Sequence, residues 1–267
     1  MTKKVLYITQ EITPFVSESP LSLLGRLLPE GIQEQGYEVR VFMPKWGIIN
    51  ERRCQLHEVI RLSGMNLIIN DTDHPLIIKV ASIPGTRIQV YFIDNDDYFS
   101  RRGMTAQDIR NDEASNAERT AFFSRGVLET VKKLRWMPDH IVCHGWLTSA
   151  IPFYLRTLFA EEPVYEQTTL VNILYDDDDL QVALGDNMRG TLLTEEIDEQ
   201  QLTAYQDPFD IQQLSRLAID NSDAIALTAQ AEGSKLADYA QQKGKPMAVA
   251  PTPEEMPQIC RQLFGEE

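Results

Sequence analysis

Cysteine is scarce in this chain, with three residues in 267, at positions 54, 143 and 260, and no C-x-x-C pair among them. That spacing argues against a structural zinc site and against a disulfide framework. Long apolar runs are also missing, and none approaches the roughly 20 residues that a membrane span needs. Residues 1–11 hold two lysines but only the short run Val5-Leu6-Tyr7-Ile8, too little for a signal-peptide core, so a cytoplasmic address is expected. Positive charge is in deficit: 25 Lys and Arg stand against 40 Asp and Glu, a net charge of −15. Nucleic acid and anionic membranes are therefore poor partners, whereas a neutral sugar or another protein meets no such barrier. Glycine is absent from one telling place. The stretch QEITPFVSESPLSLL, residues 10–24, follows the first apolar run and contains none, although α/β proteins commonly set glycines there to cradle a phosphate.

What is present is an alternation of short apolar runs and helical patterns. Val5–Ile8 reads as a strand, Leu21–Gln35 as a helix with Leu23, Leu24, Leu27, Leu28 and Ile32 on one face, and Val39–Met43 as a second strand stopped by Pro44. That is a β-α-β unit with a right-handed crossover. Residues 52–93 read as several strands, partly antiparallel, inserted before the alternation resumes. Beyond them the pattern predicts helices over 116–134, 147–159, 210–221, 232–241 and 257–264, with strands over 140–143, 170–174 and 224–227. The fold class is α/β: a doubly wound, mostly parallel, Rossmann-like sheet with a small β insertion, forming one domain over residues 1–267. In such sheets ligands bind outside the carboxyl ends of the strands, so the loops at 10–20, 94–104, 144–148 and 175–179 are the ones to inspect.

Those loops carry a specific pattern: Pro14-Phe15-Val16, Gly36-Tyr37-Glu38-Val39-Arg40-Val41, Met43-Pro44, and Val90 through Asn95 with Tyr98-Phe99. Asn116-Ala117-Glu118-Arg119 and Pro138 through Trp146 follow in order. Together they resemble the bacterial glycogen/starch synthases, well over residues 3–160 and weakly to about 240. The resemblance implies half of a two-domain glycosyltransferase fold, with no counterpart of the second, nucleotide-sugar-binding domain in this chain. It also implies a retaining transfer of glucose from ADP-glucose to an α-1,4-glucan end, without a metal or other cofactor.

Measured against that family, several positions depart. The family's Lys-x-Gly-Gly falls on Ser17, Glu18, Ser19 and Pro20 here, its His-Asp-Trp on His144-Gly145-Trp146, and the histidine of its Ile-His-Asn on Leu174. A lysine offers phosphate a point charge and glycines open the backbone amides to it, whereas proline has no amide hydrogen. Glu18 places a like charge near the implied diphosphate, a repulsion on the order of several kcal/mol in a desolvated cleft. No catalytic residue is therefore assigned. The expectation is a synthase-like protein that is non-catalytic alone and binds glucan, a small sugar or a protein partner, with self-association through the face that a second domain would cover. The alternatives are a glucosyltransferase completed by a separate domain or subunit, and a metal-dependent sugar-processing enzyme centred on residues 176–179.

Candidate ligand-binding residues are His144, Trp146, Tyr175, Asp176, Asp177 and Asn95. Trp146 would stack on a sugar ring if exposed, or else pack under the helix that follows it. His144 needs an oriented partner to act as a base. The Asp176–Asp179 run could bind a cation or sugar hydroxyls, but it lacks the ligand spacing and turn glycine of a calcium loop, so the reading preferred is a solvated acidic loop. Asn95 lies in a turn expected to tuck Tyr98 and Phe99 inward. Asn116–Arg119 should cap a helix and form an internal ion pair.

Overall fold

The computed structural model describes residues 2–175 and 181–265. Its first strand, β1 (Lys4–Thr9), is central, and Val5, Leu6, Tyr7 and Ile8 are all fully buried. An uninterrupted apolar run is what a strand covered on both faces requires. Helix α1 (Pro20–Glu34) starts at Ser19, whose hydroxyl accepts from the Ser22 amide while the Ser22 hydroxyl accepts from the Ser19 amide. Such a cap is worth about 1 kcal/mol. Leu24, Leu28 and Ile32 then bury one face of α1, each contributing roughly 1.5–3 kcal/mol. Leu23 and Leu27, expected on the same face, turn aside from it, Leu27 half-buried and Leu23 exposed.

Strand β2 (Glu38–Pro44) pairs parallel with β1 and completes the unit. The segment after it is only partly an insertion. Strands β3 (His57–Glu58), β4 (Met65–Ile69) and β5 (Thr72–Ser82) are antiparallel additions, but β6 (Gln89–Asp94) pairs parallel with β2 and belongs to the main sheet. Its core-facing run Val90–Ile93 is as buried as β1 itself, which is why it sits inside rather than on the edge. Helix α2 (Asn116–Leu134) leads to β7 (His140–His144), α3 (Ile151–Arg156), β8 (Thr169–Leu174), the short α4 (Met188–Leu192) and α5 (Ile211–Asp220). Strand β9 (Ala224–Thr228), α6 (Lys235–Gln242), β10 (Met247–Ala250) and α7 (Met256–Leu263) complete the chain.

The strand order is β10-β9-β8-β7-β1-β2-β6-β5-β3, with β4 paired to β5. The progression runs outward from β1 through β2 and β6, and outward the other way from β7 to β10. Right-handed crossovers accordingly place α1 on one face and α2, α3 and α5 on the other. Helix α7 returns to pack on α1 and over β9 and β10.

Three local expectations are corrected. The single helix expected over 147–159 is a 3-10 turn, Trp146–Thr148, followed by the six-residue α3, which restarts with Pro152 in its first turn, where proline is tolerated. Strand β10 was not anticipated, because Met247-Ala248-Val249-Ala250 is short and alanine-rich; it forms by parallel pairing to β9. At the start of α2 no described side chain caps the helix, and the ion pair of Arg119 is made outside its own tetrad. It is buried and ion-paired with Asp112 at 3.0 Å, while also donating to the Tyr98 carbonyl and to Asn116 Oδ1. That arrangement ties the loop after β6 to the helix.

Candidate functional site

The strand order reverses between β1 and β7, so the crevice at their carboxyl ends is where this topology offers a ligand site. Gln10 occupies it. This residue directly follows β1 and is buried; its carbonyl accepts from Trp46 Nε1 at 2.6 Å and its side-chain Oε1 from the Leu147 amide at 3.4 Å. Across the crevice stands Gly145 at φ +91° and ψ 152°, a backbone conformation essentially reserved for glycine. A Cβ placed there would lie 2.7 Å from Gln10 Oε1 and 2.8 Å from its Cδ. The glutamine amide thus fills the space that a side chain at 145 would take. Sequence reasoning missed Gln10; its one signal was the loss of a side chain at 145, which something else had to replace.

The loop over 10–20 is closed on itself. Ser19 and Ser22 satisfy each other in the cap of α1, Pro20 presents no amide, and the Ser22 hydroxyl also donates to the Ser17 carbonyl at 3.0 Å. Ser19 Oγ reaches Glu11 Oε2 at 3.2 Å. Burial raises the Glu11 carboxyl above its usual range, against the opposing pull of Ser19 and Arg110. The helix N-terminus that could hold an anion therefore faces its own serines and a carboxylate. Glu18 and Ser17 are exposed beside it.

His144 ends β7 fully buried, with Nδ1 2.8 Å from the Tyr7 hydroxyl and Nε2 without a partner among the described residues. Burial depresses its pKa to about 3, so the ring is neutral at physiological pH. The neighbouring Tyr7 hydroxyl is pushed well up, first by burial, and stays protonated. Among the described residues, no carboxylate orients the imidazole. Trp146 is 2 % exposed: of the two readings of this residue, stacking platform or packing element, the structure adopts the second. Cys143 is buried in the sheet, and burial drives its thiol pKa far up.

Asn95 is also spent internally. Its Oδ1 accepts from the Asp97 and Tyr98 amides and its Nδ2 donates to the Pro75 carbonyl, which draws Tyr98 and Phe99 into the core. Leu174 is buried with Ile225 and Leu227. Asp176 and Asp177 lie outside the described residues. Tyr175 is the candidate that reaches open space. It lines a cavity of about 380 Å³ at the carboxyl ends of β8, β9 and β10, walled by Leu23, Leu27, Ala250, Pro251 and Met256. That volume lies within the range of about 300–1,000 Å³ usual for small-molecule sites. The cavity has little to offer a phosphate. Its cation, Arg26, is committed to Glu30 at 3.0 Å and to the Pro84 carbonyl at 3.1 Å, and Glu254 adds negative charge. The structure thus brings Tyr175 and His144 within 5.8 Å, ring to ring, and leaves Asn95 elsewhere in an internal turn. No cluster of metal-ligating side chains occurs among the described residues, and no helix among them is long and apolar enough to cross a membrane.

The family model for the starch synthase catalytic domain matches residues 4–230. Glycogen synthase of Chlorobium phaeobacteroides is 40% identical over 174 residues, which are 65% of this chain and 36% of that protein. Glycogen synthase of Chlorobium luteolum is 40% identical over 164 residues, 61% of this chain and 34% of the relative. The matched stretch thus spans about a third of the length of these curated relatives. Among solved structures, the catalytic domain of Starch Synthase IV from Arabidopsis thaliana, bound to ADP and acarbose, superposes with a TM-score of 0.72 at 19% identity, over 93% of this chain and 51% of that one. A sucrose-phosphate synthase structure from Thermosynechococcus elongatus gives 0.51 at 12% identity, with 98% of each chain covered. These likenesses establish the architecture as a Rossmann-like half of a glycosyltransferase fold. By the extent of the family match, this chain belongs to the starch synthase catalytic domain family.

Proposed function

We propose that this polypeptide binds a neutral α-glucan end without transferring glucose from a nucleotide-sugar by itself. The observation that carries the reading is the self-satisfied start of α1: Ser19 and Ser22 cap each other and Pro20 has no amide hydrogen to give a diphosphate. The Gln10 side chain against Gly145 and the buried, neutral His144 point the same way. Transition-state charge in group transfer needs preorganised donors, and this rim presents few. A neutral ring needs only an apolar wall with a few polar groups at its margin, and the Tyr175 cavity, with Gln230 and Thr252 beside Leu23 and Leu27, has that composition.

Titration calorimetry is the test. Maltohexaose is expected to bind saturably and ADP-glucose to give no heat beyond dilution. Tight ADP-glucose binding, or glucose incorporation into glucan by the purified polypeptide, would overturn the proposal.

A second reading rests on Leu23, which is 41% exposed at the mouth of the same cavity. With Leu27, Pro251 and Pro253 it forms an apolar rim suited to a protein surface, either a partner or a second copy. Light scattering is expected to give a mass that rises with concentration for the wild type and stays monomeric for Leu23→Asp. A wild-type monomer at high concentration would refute self-association.

A further inference from the structure

A cavity of about 580 Å³ lies away from the crevice, at the sheet edge where β3 and β5 meet the turn after β1. Among the described residues its lining includes Arg53 and His57 but no Asp or Glu. That is a reversal of sign in a chain of net charge −15. The reversal extends to the whole segment, since residues 52–89 carry five Lys and Arg against three Asp and Glu. Neither the Arg53 guanidinium nor the His57 ring is paired with a carboxylate among the described residues. Both are exposed at the cavity wall.

The remaining walls are mixed. Gln55 and Ser82 are exposed there with side chains that make no hydrogen bond among the described residues, and Pro14 and Phe15 supply apolar surface. Phe15 is 5% exposed and lies in a T-shaped pair with Phe92 at 5.0 Å, so it offers too little surface to stack a nucleobase. An unpaired guanidinium with an imidazole beside it, free amide and hydroxyl groups, and a short apolar wall describe the complement of a small ring that bears one anionic group.

We propose that this cavity binds a phosphorylated monosaccharide, with Arg53 and His57 facing the phosphate and Gln55 and Ser82 the ring hydroxyls. Charge-assisted bonds from guanidinium to phosphate supply affinity, while the amide and hydroxyl groups select for a sugar over a bare anion. The site is independent of the Tyr175 cavity and of the glucan reading.

Cys54 makes the location testable. It lines this cavity and is partly exposed, whereas Cys143 and Cys260 are fully buried. Burial raises the Cys54 thiol pKa, so labelling with N-ethylmaleimide is best followed at about pH 8.5. Glucose 6-phosphate at ten times its dissociation constant should slow labelling of Cys54 about tenfold by simple occupancy. Glucose and inorganic phosphate at the same concentration should not. Arg53→Glu is expected to weaken glucose 6-phosphate binding by about ten- to a hundredfold, the range for a lost hydrogen bond to a charged group. Because that change also alters the field at the thiol, the ratio of rates with and without ligand is the quantity to compare. His57→Gln is the second variant, and near-ultraviolet circular dichroism confirms that both remain folded. Absence of protection up to tens of millimolar sugar phosphate, equal protection by glucose or phosphate, or undiminished protection in both variants each defeats the proposal.

Discussion

Gly145→Ala is expected to destabilise the fold by roughly 2 to 5 kcal/mol, combining backbone strain with overpacking. Two separate costs are involved. The first is conformational: at φ +91° and ψ 152° any Cβ is strained whatever surrounds it. The second is steric, because that Cβ would stand 2.7–3.0 Å from three side-chain atoms of Gln10. Gln10 cannot swing away freely, since its carbonyl is held by Trp46 and its amide oxygen by Leu147. The two costs separate in a double-mutant cycle. In a Gln10→Ala background the steric part disappears, so Gly145→Ala should cost about 1–3 kcal/mol less there than in the wild type, while the conformational part persists. Equilibrium denaturation in guanidinium measures all four proteins. Additive costs would mean that Gln10 does not fill the crevice, and the argument that this rim is closed would lose its main support. The aspartate that the family resemblance places at 145 should behave like the alanine at least, because it brings the same Cβ and more.

The coupling of residues 10 and 145 also illustrates what was legible beforehand. Strands such as β1, β7 and β8 declare themselves as short, mainly apolar runs that are almost wholly buried, and α2 is a long helix whose boundaries follow its apolar spacing. The start of α1 was equally readable, because the chemistry of Ser19 and Pro20 acts on the amides of the next few residues. What escaped depends on partners far away in the chain. Gln10 and Leu147 are 137 positions apart, and nothing near Gln10 announces that its side chain will be buried. Trp146 followed by Leu147 fits a helix start as well as a binding loop, and only its neighbours after folding decide that it is buried. Strand β10 needed β9 to exist, since four residues with two alanines have little strand preference of their own. Strand β6 was assigned to an insertion because its sequence neighbours form one, although its pairing is with β2.

Stability should fall as pH drops from about 6.5 toward 3, at about 1.4 kcal/mol per pH unit for the one site His144. The sign follows from proton counts. In the fold, burial keeps the ring neutral down to a pKa of about 3, whereas the unfolded chain takes up a proton near the ordinary value of about 6.5. Between those limits the unfolded state binds more protons, and acid favours it. Other groups titrate in the same window, and some oppose the trend: burial raises the Glu11 carboxyl, which contributes stability on acidification instead. The comparison that isolates His144 is therefore a difference between the wild type and His144→Phe, measured by urea denaturation at intervals from pH 8 to pH 4. Above about pH 7 the gap between them should be constant, set by packing and by the lost partner of the Tyr7 hydroxyl. Below it, the gap should shift in favour of the variant by about 1.4 kcal/mol per unit. Parallel curves would show that the imidazole gains its proton in the folded state as easily as out of it. A ring that did so would be open to solvent or to a carboxylate and could serve as a general base near neutral pH, and the case for a rim without proton-transfer chemistry would fail at its most buried residue.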